Sequence, residues 1–318
     1  MLRGALVAVL LVSSLACGNA SAPAKTVVHQ SVATNEPLET VDLPEVRPGR
    51  LAPAIEIAVP ATKAAVAPMG YVAQTWNNCG PASVVMVPSM LGIDASQEVA
   101  RLALRGRDIS RGMPAQNVAP WVGEQYGLKA LVRTNGSRDT IRSLVANGFP
   151  VIVTQWLYDA PSRIAHYRVV RGYDDASNTF LVNDPIRGAA VRLDYSWFDS
   201  SWQVFLYRYL VIYRPEDEMK VRMIVAEDWS DATMRANVYE RVKNEAQAQP
   251  RVDAWIALGE AAYQVGRYEE AVAAFEHGLA LGPASGVFTM RSSYPNALQA
   301  LGRDGEADAV RAKLSGGR

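Results

Sequence analysis

Cys79, His166 and Asp184 bring a thiol, an imidazole and a carboxylate to the chain in that order. A thiolate can attack a carbonyl carbon, an imidazole can take and return the proton, and a carboxylate can fix the imidazole tautomer. The thiol lies in residues 74–87, which read Gln-Thr-Trp-Asn-Asn-Cys-Gly-Pro-Ala-Ser-Val-Val-Met-Val. Proline suits the first turn of a helix, and the residue before it is steered away from helical angles. The stretch therefore predicts a loop that turns into a buried helix, with Cys79 at the junction. Unpaired backbone N–H groups and the positive helix end favour a thiolate there. The alternative is a buried cysteine acting as a small apolar residue. His166 opens His-Tyr-Arg-Val-Val-Arg-Gly-Tyr, an alternating strand pattern, and residues 180–185 form a second short strand ending on Asp184.

Gln74, Cys79-Gly80-Pro81-Ala82, His166-Tyr167 with Gly172-Tyr173, and Asn183-Asp184-Pro185 occur in that order. Together they resemble the bacteriocin-processing double-glycine leader peptidases and their relatives, which have a papain-like fold. The resemblance spans about residues 66–215. It implies Cys79 as nucleophile, His166 as general base, Asp184 as the group orienting it, and Gln74 as a donor to the oxyanion. It also implies cleavage after small residues, and a peptide or protein as substrate. Two features depart from the pattern. Pro88 falls inside the nucleophile helix, where it predicts a kink. The interval from Gln74 to Cys79 is short compared with papain.

These residues need elements to position them. The patterns predict helices over residues 96–104, 116–126 and 140–146, and a strand over 129–134 followed by an Asn135-Gly136 turn. Strands are expected over 150–157, 166–173, 179–183, 189–193 and 205–213. Helices first and an antiparallel sheet after describe an α+β domain with cysteine on the helical side and histidine on the sheet. Trp197, Trp202, Tyr207, Tyr209 and Tyr213 read as core, with a substrate groove as the alternative. Arg101, Arg105, Arg107 and Arg111 read as a solvated face.

The 318 residues carry 32 basic and 32 acidic side chains, so no electrostatic partner such as nucleic acid is indicated. The length suits about two domains. Residues 1–22 read as an export signal: Arg3, the apolar run 5–12, then small residues. The run is too short to span a bilayer. Ser14-Leu15-Ala16-Cys17 resembles a bacterial lipobox, with Cys17 lipidated; Ala20-Ser21-Ala22 offers an ordinary signal-peptidase site instead. Either route places the chain outside the cytoplasm, in the periplasm or on the outer membrane, held to the membrane only by a lipid anchor. Cys79 is then the one remaining thiol, and an unpaired cysteine in an exported chain invites suspicion of reactivity. Three scattered histidines and one thiol offer no metal site, and no cofactor is expected. Residues 23–65, rich in Ala, Val and Pro and containing His29, read as a tether.

The peptidase-like segment, residues 66–215, gives way after Pro215 to a second domain, residues 216–318. Trp255, Leu258, Gly259, Gly266, Ala271, Phe275 and Pro283 fit a tetratricopeptide repeat. Trp255 and Phe275 are expected between its helices, and His277 is no plausible base. Gly302 and Ala307 echo Gly266 and Ala271 in a weaker second copy, and residues 230–248 suggest a degenerate preceding helix. The fold expected is thus α+β, a papain-like cysteine peptidase domain followed by a small all-α tetratricopeptide-repeat domain. Three readings of function follow. The first is an exported or lipid-anchored cysteine peptidase whose repeats recruit substrate or a protein partner. The second is a catalytically silent papain-like scaffold that binds through its repeats, and the third is an amidase or acyl transferase acting on cell wall. A fragment ending after Glu216 is expected to fold and react on its own.

Overall fold

The computed structural model describes residues 55–108, 112–159, 163–283 and 290–315. Cys17, the export signal, His29, Arg111 and most of the tether lie outside them. The described residues belong to one compact unit, 53–318. In chain order the first elements are β1 (Lys63–Ala65), α1 (Cys79–Met90), α2 (Gln97–Arg105), α3 (Val118–Tyr126), β2 (Lys129–Arg133) and α4 (Arg138–Ala146). Next come β3 (Val151–Trp156), β4 (Ala165–Asp174), β5 (Thr179–Asp184), β6 (Gly188–Asp194), α5 (Tyr195–Trp202) and β7 (Tyr209–Tyr213). The rest is helical: α6 (Glu218–Val225), α7 (Asp231–Ala248), α8 (Val252–Gln264), α9 (Tyr268–Leu281), α10 (Met290–Ala300) and α11 (Asp304–Ser315). An antiparallel sheet with helices, then helical repeats, is the α+β arrangement expected.

The strands run in the order β2-β7-β3-β4-β5-β6, and β1 pairs with the far end of β4, Lys63 opposite Asp174 and Ala65 opposite Gly172. Residues 63–65 are thus a strand, where the Ala- and Pro-rich composition read as tether. Strand side chains alternate between faces. Val151 and Val153 of β3, with Tyr209, Val211 and Tyr213 of β7, join one apolar cluster, while Ile152, Leu210 and Ile212 join the other. The second cluster lies under α1, α2 and α3 and includes Val84, Val87, Leu104 and Trp121. The first takes in α4, α5 and the repeats, from Leu131 through Trp202 and Phe205 to Phe275 and Ala307. Trp202, Tyr207, Tyr209 and Tyr213 are core, as expected, while Trp197 is half-buried.

One segment is given no element by the sequence patterns, and one differs from expectation. Residues 195–202 are a helix, capped by Asp194, whose carboxylate accepts from the N–H groups of Ser196 and Trp197. Residues 205–208 are a tight turn rather than strand, with Leu206 and Tyr207 both left-handed at φ 54° and 55°. Tertiary contacts hold that costly backbone: Trp202 Nε1 donates to the Arg208 carbonyl at 2.7 Å, and the N–H groups of Asn135 and Gly136 donate to Leu206 and Tyr207.

In the repeats, Gly266 and Gly302 take left-handed φ values of 77° and 72° at the turns between α8 and α9 and between α10 and α11. Phe275 is fully buried against Gly259, where an added Cβ would stand 2.6 Å from the ring. Trp255 packs between the same helices but is only half-buried, against His277 of α9 with ring centroids 4.1 Å apart. Ile256 beside it is fully buried and stands nearest Gly278.

The repeats dock on the sheet domain through buried polar contacts as well as the shared core. Asp253 of α8 accepts from Trp156 Nε1 at 3.0 Å and from Arg163 at 2.7 Å. Glu245 of α7 accepts from Gln203 at 2.8 Å and from the Tyr207 hydroxyl at 2.7 Å. Arg241 lies over the Tyr207 ring, 3.4 Å from its centroid, and donates to the Gly136 carbonyl. The independently folding fragment expected from the sequence conflicts with this shared core.

Candidate active site

Cys79 is the first residue of α1, half-buried, with Pro81 in the helix's opening turn. The helix runs through Pro88 and ends at Met90, where Leu91 and Ile93 both donate to the Pro88 carbonyl. The loop before it is held by α2. Gln97 accepts from the Thr75 N–H at 2.8 Å and donates to the Ala73 carbonyl at 2.9 Å. Arg105 donates to the Asn77 carbonyl at 2.8 Å and to the Asn78 side chain. Asn77 takes a left-handed φ of 56°, which asparagine tolerates.

Arg105 was expected on a solvated face; it is instead buried, 7% exposed. The helical period does carry a signal, since Gln97, Ala100 and Leu104 fall on one stripe and Arg105 adjoins it. Arg101, by contrast, pairs with Glu98 on the surface. Replacing Arg105 by Met leaves two loop acceptors, Asn77 O and Asn78 Oδ1, without their donor, a loss of about 1–3 kcal/mol each if they stay buried. We expect Arg105→Met to lower the melting temperature and slow alkylation of Cys79, both measurable on the purified protein. An unchanged alkylation rate would deny Arg105 a role in holding the loop.

His166 and Asp184 sit near the starts and ends of neighbouring strands, β4 and β5, and both are buried. His166 Nε2 lies 2.9 Å from Asp184 Oδ1. That oxygen also accepts from the backbone N–H groups of Ile186 and Arg187 at 2.9 and 3.0 Å. Arg168, wholly buried in β4, places Nε 3.2 Å from Asp184 Oδ2 as an ion pair, and donates to Gln155 Oε1 at 2.9 Å. The alternating pattern of β4 marked Arg168 only as a polar strand position, so this role escaped the sequence.

The charges follow from these contacts. Burial raises the Cys79 thiol, but its hydrogen bond and Coulombic attraction to His166, with backbone N–H groups of Tyr167 and Gly80, hold it below the ordinary thiol value. Burial lowers the His166 imidazole, yet Asp184 and Cys79 together raise it above the ordinary value. Burial raises Asp184, and His166, Arg168 and the Arg187 N–H overcome that and hold it well below the usual carboxylate range. Burial pulls the Arg168 guanidinium down to about 10 against the pull of Asp184.

Gln74 donates its backbone N–H to the Pro185 carbonyl at 3.0 Å, which ties the cysteine loop to the turn after Asp184. Its side-chain oxygen is buried without a partner among the described residues. Gly80 leaves room for Met113, since a Cβ there would stand 2.8 Å from the Met113 Cβ; the Met113 carbonyl in turn accepts from Tyr167 at 3.0 Å. The fold thus gathers Cys79, His166 and Asp184, and brings the backbone of Gln74 against the segment that follows Asp184.

Residues 66–210 match the Peptidase_C39 like family, and residues 252–285 match the tetratricopeptide repeat. None of the curated proteins compared matches the chain. Among solved structures, the double glycine motif protease from an AMS/PCAT transporter, in complex with the leader peptide, is 24% identical. The match covers 47% of this chain and 94% of that one, with a TM-score of 0.37. A C39-like peptidase from Bacillus anthracis is 15% identical over 48% and 98%, TM-score 0.40. The peptidase domain of Streptococcus ComA, a bifunctional ABC transporter of quorum sensing, is 19% identical over 45% and 96%, TM-score 0.35. The chain thus holds a segment that matches the Peptidase_C39 like family, followed by one that matches the tetratricopeptide repeat.

Proposed function

We propose that the chain is a cysteine peptidase that hydrolyses peptide bonds with Cys79, His166 and Asp184. The observation that carries this reading is His166, 2.9 Å from the Asp184 carboxylate and under the charge of the Cys79 thiol, with thiol lowered and imidazole raised. Opposite charges on the two partners are what a thiolate–imidazolium pair requires. In the mechanism, the Cys79 thiolate attacks the peptide carbonyl and the His166 imidazolium gives its proton to the leaving amine. Water, deprotonated by His166, then hydrolyses the acyl-enzyme. Asp184 holds the imidazole by accepting from Nε2, leaving the other ring nitrogen for the thiol. The Cys79 N–H at the helix start and the Gln74 side-chain amide are the candidate oxyanion donors.

The pair sets the pH dependence. The acid limb of kcat/KM should rise below the ordinary thiol value, because the Cys79 thiol is lowered. The alkaline limb should fall above the ordinary imidazole value, because His166 is raised. The two limbs belong to the coupled pair rather than to either residue alone. Hydrolysis of a fluorogenic peptide from pH 4 to 10 checks this. A single rise near about 8.5, where a free thiol titrates, would contradict the paired thiolate.

We further infer that residues 1–22 export the chain and that Cys17 carries a lipid anchor, with the repeats holding substrate or a protein partner. No helix among the described residues is long and apolar enough to cross a membrane. Wild type should partition with membranes, and Cys17→Ala should appear soluble or unprocessed. A mature, unlipidated N-terminus at Pro23 would reject the anchor.

A further inference from the structure

The cleft at Cys79 is not made by the peptidase segment alone. Cys79, Met113, Tyr167 and Arg208 line a cavity of about 810 Å³, and Glu260 of α8 and Arg291 of α10 line it too. A space of this size holds a few side chains of a ligand. The docking contacts already described place the repeats there, since Asp253 of α8 grips Trp156 and Arg163 beside the same cavity.

The charges in the cavity are unevenly satisfied. Glu260 accepts from Gln264 at 3.0 Å and from Ser293, so its carboxylate is occupied within the repeats. Arg163 is spent on Asp253 at 2.7 Å. Asp108 is engaged as well, and its charge acts on Arg105. Arg208 and Arg291 have no carboxylate partner among the described residues, although both border the cavity. A guanidinium presents paired N–H donors that match a carboxylate, and it does so most strongly where water is limited.

We propose that this cavity is a carboxylate-binding subsite, built by Arg208 of the sheet domain and Arg291 of the repeats. It selects polypeptide substrates that carry an aspartate or glutamate near the bond presented to Cys79. The proposal rests on Cys79 being the nucleophile and gives the repeats a part in the cleft itself. It also makes the cleft incomplete without α10.

Alkylation of Cys79 in the full chain by iodoacetate, which carries a carboxylate, and by neutral iodoacetamide separates the two claims. The ratio of the two rates is compared among wild type, Arg291→Gln, Arg291→Glu and the Arg208→Gln/Arg291→Gln double variant. His166 affects the ratio in every protein, so the comparison isolates the arginines. The ratio should fall a few-fold in Arg291→Gln, further in Arg291→Glu, and about 10-fold in the double variant, the scale of a charge-assisted hydrogen bond. Peptide pairs differing only in glutamate against glutamine should follow the same order in kcat/KM. Arg291 is exposed, so its variants carry the test even if Arg208→Gln does not fold. Equal ratios across wild type and both Arg291 variants, with Cys79 readily alkylated by iodoacetamide, overturn the subsite alone. A Cys79 that iodoacetamide does not reach faster than a free thiol overturns the peptidase reading and the subsite with it.

Discussion

Replacing Cys79 by alanine is expected to abolish peptide hydrolysis, and His166→Ala should come close to the same loss. Residues that act as one unit each cost nearly the whole of it, here about 10⁴-fold or more in kcat. Hydrolysis of a fluorogenic peptide by the purified variants measures this, and a Cys79→Ala protein that keeps the wild-type rate contradicts the assignment. Asp184 behaves differently from a simple orienter. Besides His166, its carboxylate faces Arg168, fully buried, at 3.2 Å. Asparagine there leaves a buried guanidinium without its counter-charge, at a cost of about 3–5 kcal/mol. Asp184→Asn should therefore melt well below wild type as well as lose activity. The depressed Asp184 pKa gives a sign for acid stability. Its contribution is complete above the unfolded carboxyl value of about 3.9 and is lost as pH falls towards the folded one.

The second large effect is expected from a stop after Glu216. Such a fragment exposes Trp156, Phe205 and Tyr207, whose apolar cluster continues into α7, α8 and α9. It also strips Trp156 Nε1 and Arg163 of Asp253, and Tyr207 of Glu245. Each large apolar side chain uncovered costs about 1.5–3 kcal/mol, against a typical total stability of about 5–15 kcal/mol. The fragment should be insoluble or lack a cooperative melt, read by light scattering and near-ultraviolet circular dichroism. A soluble fragment that melts cooperatively, with Cys79 as reactive as in the full chain, would show that the shared core is dispensable.

The parts of the site nearest the chemistry were legible because local rules fix them. Gly80-Pro81 marks the start of α1, and the pattern from His166 onward marks β4. What escaped were positions decided by tertiary contacts. Arg105 and Arg168 look like surface charges until the loop carbonyls and the Asp184 carboxylate that hold them are known. The run Phe205-Leu206-Tyr207 looks like strand, yet Trp202, Asn135 and Gly136 fasten it as a left-handed turn. The match of the repeats to the sheet domain depends on pairs far apart in sequence, such as Trp156 with Asp253, that no local pattern displays.

His166 is expected to keep the Cys79 thiol charged and ready to attack. Mass spectrometry after exposure to an irreversible thiol-directed peptidase inhibitor at pH 6 tests it most directly, because a free thiol with a pKa of about 8.5 is almost wholly protonated there. One inhibitor adduct on Cys79 is expected in the wild-type protein, and its loss, or slowing by orders of magnitude, in His166→Ala. Equal labelling of Cys79 in the two proteins, or none in the wild type, would contradict it.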